Sequence, residues 1–272
     1  MSDSSLLRKR GLQALQGHWQ TALLITFAAG ILGMAISVLQ TRIMSQLGST
    51  VTNPLDILEN WGLQAGSYQT TIFLLSLLEI LFAPALSIGL NHYYLELHGR
   101  REAQFSLLFS RMRIFGKCLG QTLMMGLLIA LWILVGSLPC IFLLYLVRIA
   151  SPFLVWVMSM AAMIPALIAL LRYAMAPYLL AEDPELGVMD TIRQSKDIMD
   201  GNKGRLFILY LSFIGWLVLS VGLTVLLNSL LNTIGLALGL FASLALQVYI
   251  HSTVAAFYLE LPTRMIRPEK LE

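Results

Sequence analysis

The chain has 272 residues, 57% of them hydrophobic and 12% charged, with a mean hydropathy of +0.76, whereas soluble domains run at about 45–50% apolar and about 25% charged. A water-soluble globule is excluded. So are intrinsic disorder, which requires low hydrophobicity and high charge, and a disulfide scaffold, since there are only 2 Cys. What remains is an all-α polytopic membrane bundle, with residues 1–272 forming a single integral membrane domain.

A bilayer core of about 30 Å needs roughly 20 apolar residues in a helix. Six such runs are predicted, at about 19–39, 72–97, 121–147, 152–180, 206–227 and 234–258. The fourth is most apolar up to Tyr173. The last two are separated only by residues 228–233, where Asn228 and Asn232, with Gly235 just beyond, suit a tight reversal. The first run follows Arg8, Lys9 and Arg10 but exceeds the roughly 7–15 residues of a signal-peptide core and lacks a small-residue cleavage pattern, so it reads as a retained anchor. Cys118 and Cys140 lie about 33 Å apart on one helix at 1.5 Å per residue and cannot pair with each other.

Lys and Arg are retained on the cytoplasmic side of a membrane. One alternating set of segments carries Arg8, Lys9, Arg10, Arg100, Arg101, Arg111, Arg113, Lys117, Arg172, Arg193, Lys196, Lys203, Arg205, Arg264, Arg267 and Lys270, sixteen of the 18 basic residues. The opposite set carries Arg42 and Arg148. Six spans with both termini cytoplasmic follow. The net charge of +3 is therefore spread between apolar runs, which suits anionic lipids on the cytoplasmic face. A nucleic-acid partner would require a basic soluble face and is not expected.

Short amphipathic helices are predicted before three of the spans, at about 5–16, 103–116 and 184–200, lying in the interface. In the second, Phe105, Leu108, Phe109, Met112 and Phe115 form an apolar stripe, flanked by Arg111 and Arg113, with Leu107 and Ile114 off it. In the third, Asp183 is the expected N-cap, Pro184 the first helical residue and Gly201 the terminator, with Leu186, Met189, Ile192 and Met199 on the apolar side. The first presents Leu7, Ala14 and Leu15. Each helix ends in a glycine, namely Gly17, Gly116 or Gly201, just before a span. Two explanations stand side by side: a threefold repeat of helix, glycine elbow and hairpin, or the ordinary alternation of loops and hairpins in any six-span chain.

The stretch from Ala174 through Pro177, Tyr178, Glu182 and Asp183 to Pro184 is followed by Ser195, by Met199-Asp200-Gly201-Asn202-Lys203, by Arg205-Leu206-Phe207 and by Leu211-Ser212-Phe213-Ile214-Gly215-Trp216. Together with Gly17-x-Trp19, Pro84-x-x-x-x-Gly89, Leu131-Trp132 and Ala256-Phe257-Tyr258, these residues resemble the bacterial integral-membrane family known as domain of unknown function 975. Ser137-Leu138-Pro139-Cys140 departs from the family pattern, where an apolar run leads into Pro-Gly. The resemblance implies a multipass protein of the bacterial cell membrane with no established activity.

Catalytic patterns are absent from the sequence. There is no H-E-x-x-H, whose two imidazoles would share a helix face, and no G-x-x-x-x-G-K-[ST] phosphate loop. His92, Glu96 and His98 cluster at one end of span two, where polar residues ordinarily mark a helix end. Gly235, Gly239 and Ser243 form a small-residue stripe suited to close helix packing, with Gln247 and His251 following one and two turns on. Arg172 and Tyr173 are expected to snorkel to the interface. No enzyme, metal or cofactor is expected.

Glu79 stands out, because a carboxylate about 10 Å into a span is costly unless protonated, paired or hydrated. Two readings remain open: an interfacial Glu with a local partner, Arg148 or Arg42, or an ion-responsive cavity among spans two, three and four involving Glu79, Arg148 and Gln247. The leading expectation for function is a non-enzymatic organising or accessory membrane protein that meets a membrane-protein partner or a second copy of itself. The alternative is a transporter of small solutes, ions or lipids.

Overall fold

The computed structural model describes residues 3–50, 64–99, 104–147 and 152–261, and every regular element among them is helical. The helices are α1 Asp3–Leu15, α2 Trp19–Thr50, α3 Gln64–His98, α4 Phe115–Val147, α5 Pro152–Tyr173, α6 Ala176–Glu182, α7 Val188–Ile198 and α8 Lys203–Glu260, and a 3₁₀ segment, Phe105–Ile114, precedes α4. Among the described residues five helical runs are long and apolar enough to cross a membrane: Trp19–Ile43, Thr70–His98, Phe105–Leu143, Leu154–Glu182 and Lys203–Glu260.

The 58-residue α8 contains both of the last two expected runs. Its backbone leaves the helical region at Asn232 (φ 53°, ψ −129°), within the predicted reversal and at a residue type enriched at positive φ. Ser220 and Ser243 are 23 positions apart, about 35 Å along a straight helix, yet their hydroxyl oxygens are 2.8 Å from each other. The two arms of α8 therefore fold back on one another. α2 and α3 also run antiparallel, through Thr26–Tyr94 (2.7 Å) and Gln40–Ser76 (3.0 Å). The α4–α5 pair closes at Gly136, where a Cβ would lie 2.4 Å from the Ala162 carbonyl oxygen.

The core lies at one end of these hairpins. Leu15, Tyr94, Leu108, Met175, Met199, Phe213 and Tyr258 belong to a single buried cluster. Beyond it the hairpins separate, and no residue over 122–143 of α4 is buried. The exposed side chains there, including Leu134, Leu138 and Phe142, are apolar, as lipid contact requires. α1 caps the core end: Ser252 Oγ donates to the Gly11 carbonyl at 2.9 Å, and Arg10 pairs with Glu260, which also meets Arg205 at 3.5 Å. Residues near the two termini thus lie side by side.

Several local expectations need correction. Residues 105–114 form a 3₁₀ helix that runs directly into α4, so Gly116 is helical and makes no elbow, and the helix of the third run begins at Phe115 rather than at residue 121. Gly17 (φ 82°) and Gly201 (φ 78°) do adopt the elbow conformation. A 3₁₀ helix repeats every three residues, which aligns Leu108, Arg111 and Ile114. Leu108 is buried and Ile114 and Leu107 pack against the core, while Phe109 and Met112 are exposed. Arg111 turns inward, donating to the Ala181 carbonyl at 2.5 Å and approaching His92 Nδ1 at 3.1 Å.

The helix expected over 184–200 begins at Val188, with Gly187 as N-cap. Asp183 Oδ1 instead accepts from the Glu185 N–H at 3.0 Å, closing a turn around Pro184. The buried face of α7 is Thr191, Ile192, Ser195 and Ile198, and Met189 is exposed. The fourth run is interrupted between Tyr173 and Ala176, and Tyr173 is buried in a small cluster with Ala176 and Ile192.

Candidate functional site

On α3, Glu79, Ala83, Ser87 and Leu90 recur at helical spacing and share one face. Thr26, Gly30 and Gly33 do the same on α2, and Gln247 and His251 do so on the second arm of α8. These three faces enclose a cavity of about 270 Å³, lined by all of those residues together with Ala29 and Leu32. Gly33 marks the close approach of α2 to α3, since a Cβ there would lie 3.2 Å from Glu79 Oε1 and the carboxylate would have to shift by a few tenths of an ångström. The missing side chain lets the carboxylate lie against α2.

The core side of the cavity is closed by aromatic and hydroxyl contacts. Thr26 Oγ1 and Tyr94 Oη share a hydrogen bond of 2.7 Å, and the Tyr94 ring stacks on His251 with centroids 5.6 Å apart and planes 11° from parallel. Tyr93 meets Tyr94 edge-on at 5.3 Å and donates to Thr21 Oγ1 at 3.4 Å. The cavity thus presents a carboxylate, an amide, an imidazole and a hydroxyl along membrane-spanning helices. Within a membrane span such groups are costly unless they are paired, protonated or hydrated. Among the described residues, no group of three His, Cys, Asp or Glu side chains is placed to hold a metal ion.

Glu79 and Gln247 line the same cavity, whereas Arg148 lies outside the described residues. Arg42 lines a separate hollow with Met34, Ser37, Val38 and Thr41. The cavity was expected among spans two, three and four but is formed by α2, α3 and the second arm of α8, where Gly33 lets α2 approach Glu79. Thr26, Tyr94 and His251 complete the site and were not singled out for it. Their sequence signal is the spacing of Thr26, Gly30 and Gly33 on one face. Gly235, Gly239 and Ser243 lie against Leu227, Thr224 and Ser220 of the opposite arm, so Ser243 serves the α8 hairpin.

The motif residues from Pro177 to Gly201 gather where α5, α6 and α7 meet, whereas Lys203, Phe207, Ser212, Gly215 and Trp216 lie along the first arm of α8. Pro177 lies in the first turn of α6. Glu182 accepts a 2.5 Å hydrogen bond from Tyr258 Oη, and the Pro184 carbonyl accepts one from Lys117 Nζ at 2.8 Å. Ser195 is buried and bridges the α5–α6 break, accepting from the Met175 N–H at 3.2 Å and donating to the Arg172 carbonyl at 3.0 Å. A helix break leaves such groups without intrahelical partners. Gly201 follows α7 with φ 78°, Lys203 pairs with Asp200 at 3.3 Å, and Ser212 donates to the Leu209 carbonyl at 2.7 Å. Phe207 and Trp216 are exposed, and no atom would lie within 4 Å of a Cβ on Gly215.

Ser195→Ala strands the Met175 N–H and Arg172 carbonyl in the core and is expected to cost about 2 kcal/mol. Thermal unfolding of the purified protein measures the loss; an unchanged midpoint would show that the break does not depend on this hydroxyl.

No curated protein and no solved structure matches the chain. Residues 1–265 match a family described as "Protein of unknown function (DUF975)". This match over nearly the whole chain shows that it belongs to the domain of unknown function 975 family.

Proposed function

We propose that the protein is a non-enzymatic multipass membrane protein that organises or assists other membrane components, with six crossings and both termini in the cytoplasm of a bacterial cell. The observation that carries this reading is the uneven packing of the bundle. Its buried core and the α5–α6 break lie at the terminal end, while the far halves are hairpins with exposed apolar faces. An even number of crossings is supported by the side-by-side placement of Arg10 and Glu260 and by the reversal at Asn232. The bias of the basic residues supports an orientation with the compact end toward the cytoplasm, where anionic lipid and a partner protein or second copy would be met.

The exposed face of α7 includes Arg193 and Lys196, and its opposite face is buried, so charge reversal tests it better than deletion. Arg193→Glu with Lys196→Glu is expected to lose a specific partner from crosslinking pull-downs of native membranes without changing the unfolding midpoint. Equal recovery by the variant, or no specific partner for the intact chain, would overturn the organising role.

A second reading, transport of a small solute, ion or lipid, is favoured by the Glu79 cavity itself. On that reading Glu79→Gln abolishes proton- or ion-dependent flux in reconstituted vesicles. Flux equal in both proteins, or none above empty vesicles, removes it.

A further inference from the structure

Glu79 and Ser87 of α3 and Gln247 of α8 line one cavity, and none of the three has a hydrogen-bond or ion-pair partner among the described residues. We propose that this cavity binds a single alkali-metal cation at the Glu79 carboxylate. The inference rests on the transport reading above and names the class of ion which that reading leaves open.

The carboxylate is free and faces the cavity. Gly33 is a lining residue, and Glu79 Oε1 lies 3.2 Å from the position of a Cβ built on it, so that oxygen stands in the space between α2 and α3. Glu79 is half-buried, and neither of its oxygens is among the fully buried polar atoms that lack a partner. Both therefore keep accessible surface. No lysine or arginine lines the cavity, and a charge within a span is costly unless it is paired, protonated or hydrated. A proton balances the charge but makes no use of Ser87 and Gln247, whose oxygens stand in the same cavity.

The donor set selects the class of ion. Hard cations take carboxylate, carbonyl and water oxygens, and the lining offers the Glu79 carboxylate, the Gln247 amide, the Ser87 hydroxyl and the Thr26 hydroxyl, the last shared with Tyr94. One carboxylate balances one positive charge. A divalent ion would leave excess charge inside the span, and among the described residues no group of three His, Cys, Asp or Glu side chains stands ready for one. A quaternary ammonium seeks aromatic faces, and the only ring in the lining, His251, is stacked on Tyr94. The cavity of about 270 Å³ has room for roughly nine waters at about 30 Å³ each, so the ion keeps part of its water shell. Thr26, Tyr94 and His251 close the core side, and Gly33, with Glu79 beside it, lies about 10 Å further along α2 at 1.5 Å per residue. The ion therefore enters from the end away from the core.

The test is equilibrium dialysis of the full-length protein in detergent against radioactive sodium, rubidium as a stand-in for potassium, and calcium. One alkali ion is expected to bind per chain, with calcium at least about tenfold weaker. Glu79→Gln is expected to weaken alkali binding at least about tenfold. Gly30→Leu keeps the carboxylate: Gly30 lines the cavity and no atom lies within 4 Å of a Cβ built on it, so leucine takes up the ion's space without a clash. It too is expected to weaken binding about tenfold, and it decides the matter if the Glu79 variant fails to fold. No alkali ion bound, a preference for calcium, or binding unchanged in either variant overturns the proposal. Flux in vesicles separates this result from the transport reading. Proton-dependent flux that needs Glu79, with no alkali ion bound, overturns the ion site and leaves transport standing; alkali binding lost in Glu79→Gln, with no flux, supports the ion site and removes transport.

Discussion

Gly89→Ala is expected to destabilise the protein by about 3 kcal/mol, the upper end of the cost of overpacking. A Cβ at residue 89 would lie 1.9 Å from the Leu108 carbonyl oxygen and 2.8 Å from its carbon. Both obstacles are backbone, so no rotamer change relieves the clash, and the 3₁₀ segment must move away from α3. That movement would also withdraw Arg111 from the Ala181 carbonyl. Gly215→Ala is the matched control, because its Cβ meets no atom within 4 Å and alanine favours a helix by up to about 1 kcal/mol. Thermal unfolding followed by size-exclusion fluorescence separates the two. Similar midpoints would mean that the 3₁₀ segment does not cross α3 closely at Gly89.

Gly235→Ala is the second large effect, about 2–3 kcal/mol by the same mechanism. Its Cβ would sit 1.8 Å from the Leu227 carbonyl oxygen, immediately beside the reversal, so the arms of α8 must spread. A crosslink reads this directly. In a background with Cys118→Ala and Cys140→Ala, the pair Ser220→Cys and Ser243→Cys is expected to oxidise readily, since the serine oxygens are 2.8 Å apart. Adding Gly235→Ala is expected to suppress the bond. A crosslink that forms equally fast with alanine present would contradict the close contact at residue 235.

These two glycines differ in how legible they were. Gly235 belongs to a small-residue stripe with Gly239 and Ser243, and such a stripe is a local pattern along one helix. Gly89 makes its contact with a segment that looked like a separate interfacial helix, so nothing local identified its neighbour. The apolar runs, the reversal near Asn232 and the family were readable because each depends on neighbours in sequence. The 3₁₀ geometry of Phe105–Ile114 was not, because an α-period and a three-residue period share Phe105 and Leu108, and tertiary packing selects between them.

The candidate site divides in the same way. Glu79 was conspicuous as a carboxylate within an apolar run, and Gln247 as an amide on a helical face. Their meeting in one cavity depends on α8 returning beside α2 and α3, a long-range arrangement that the pattern of spans alone leaves undetermined. Ser195 appeared only as part of a motif. Its contacts with Arg172 and Met175 show that it stabilises a helix break, a role visible only once α7 is packed against the α5–α6 junction.

The docking of α1 also constrains the order of assembly. The Ser252 hydroxyl that bonds to the Gly11 carbonyl lies 241 positions later in the chain, and Glu260, the partner of Arg10, later still. During translation α1 has no docking surface until the final arm has been inserted, and contacts of such long range form late. α1 is thus made well before the surface that seats it, and a chain truncated before residue 252 leaves it without its place in the bundle.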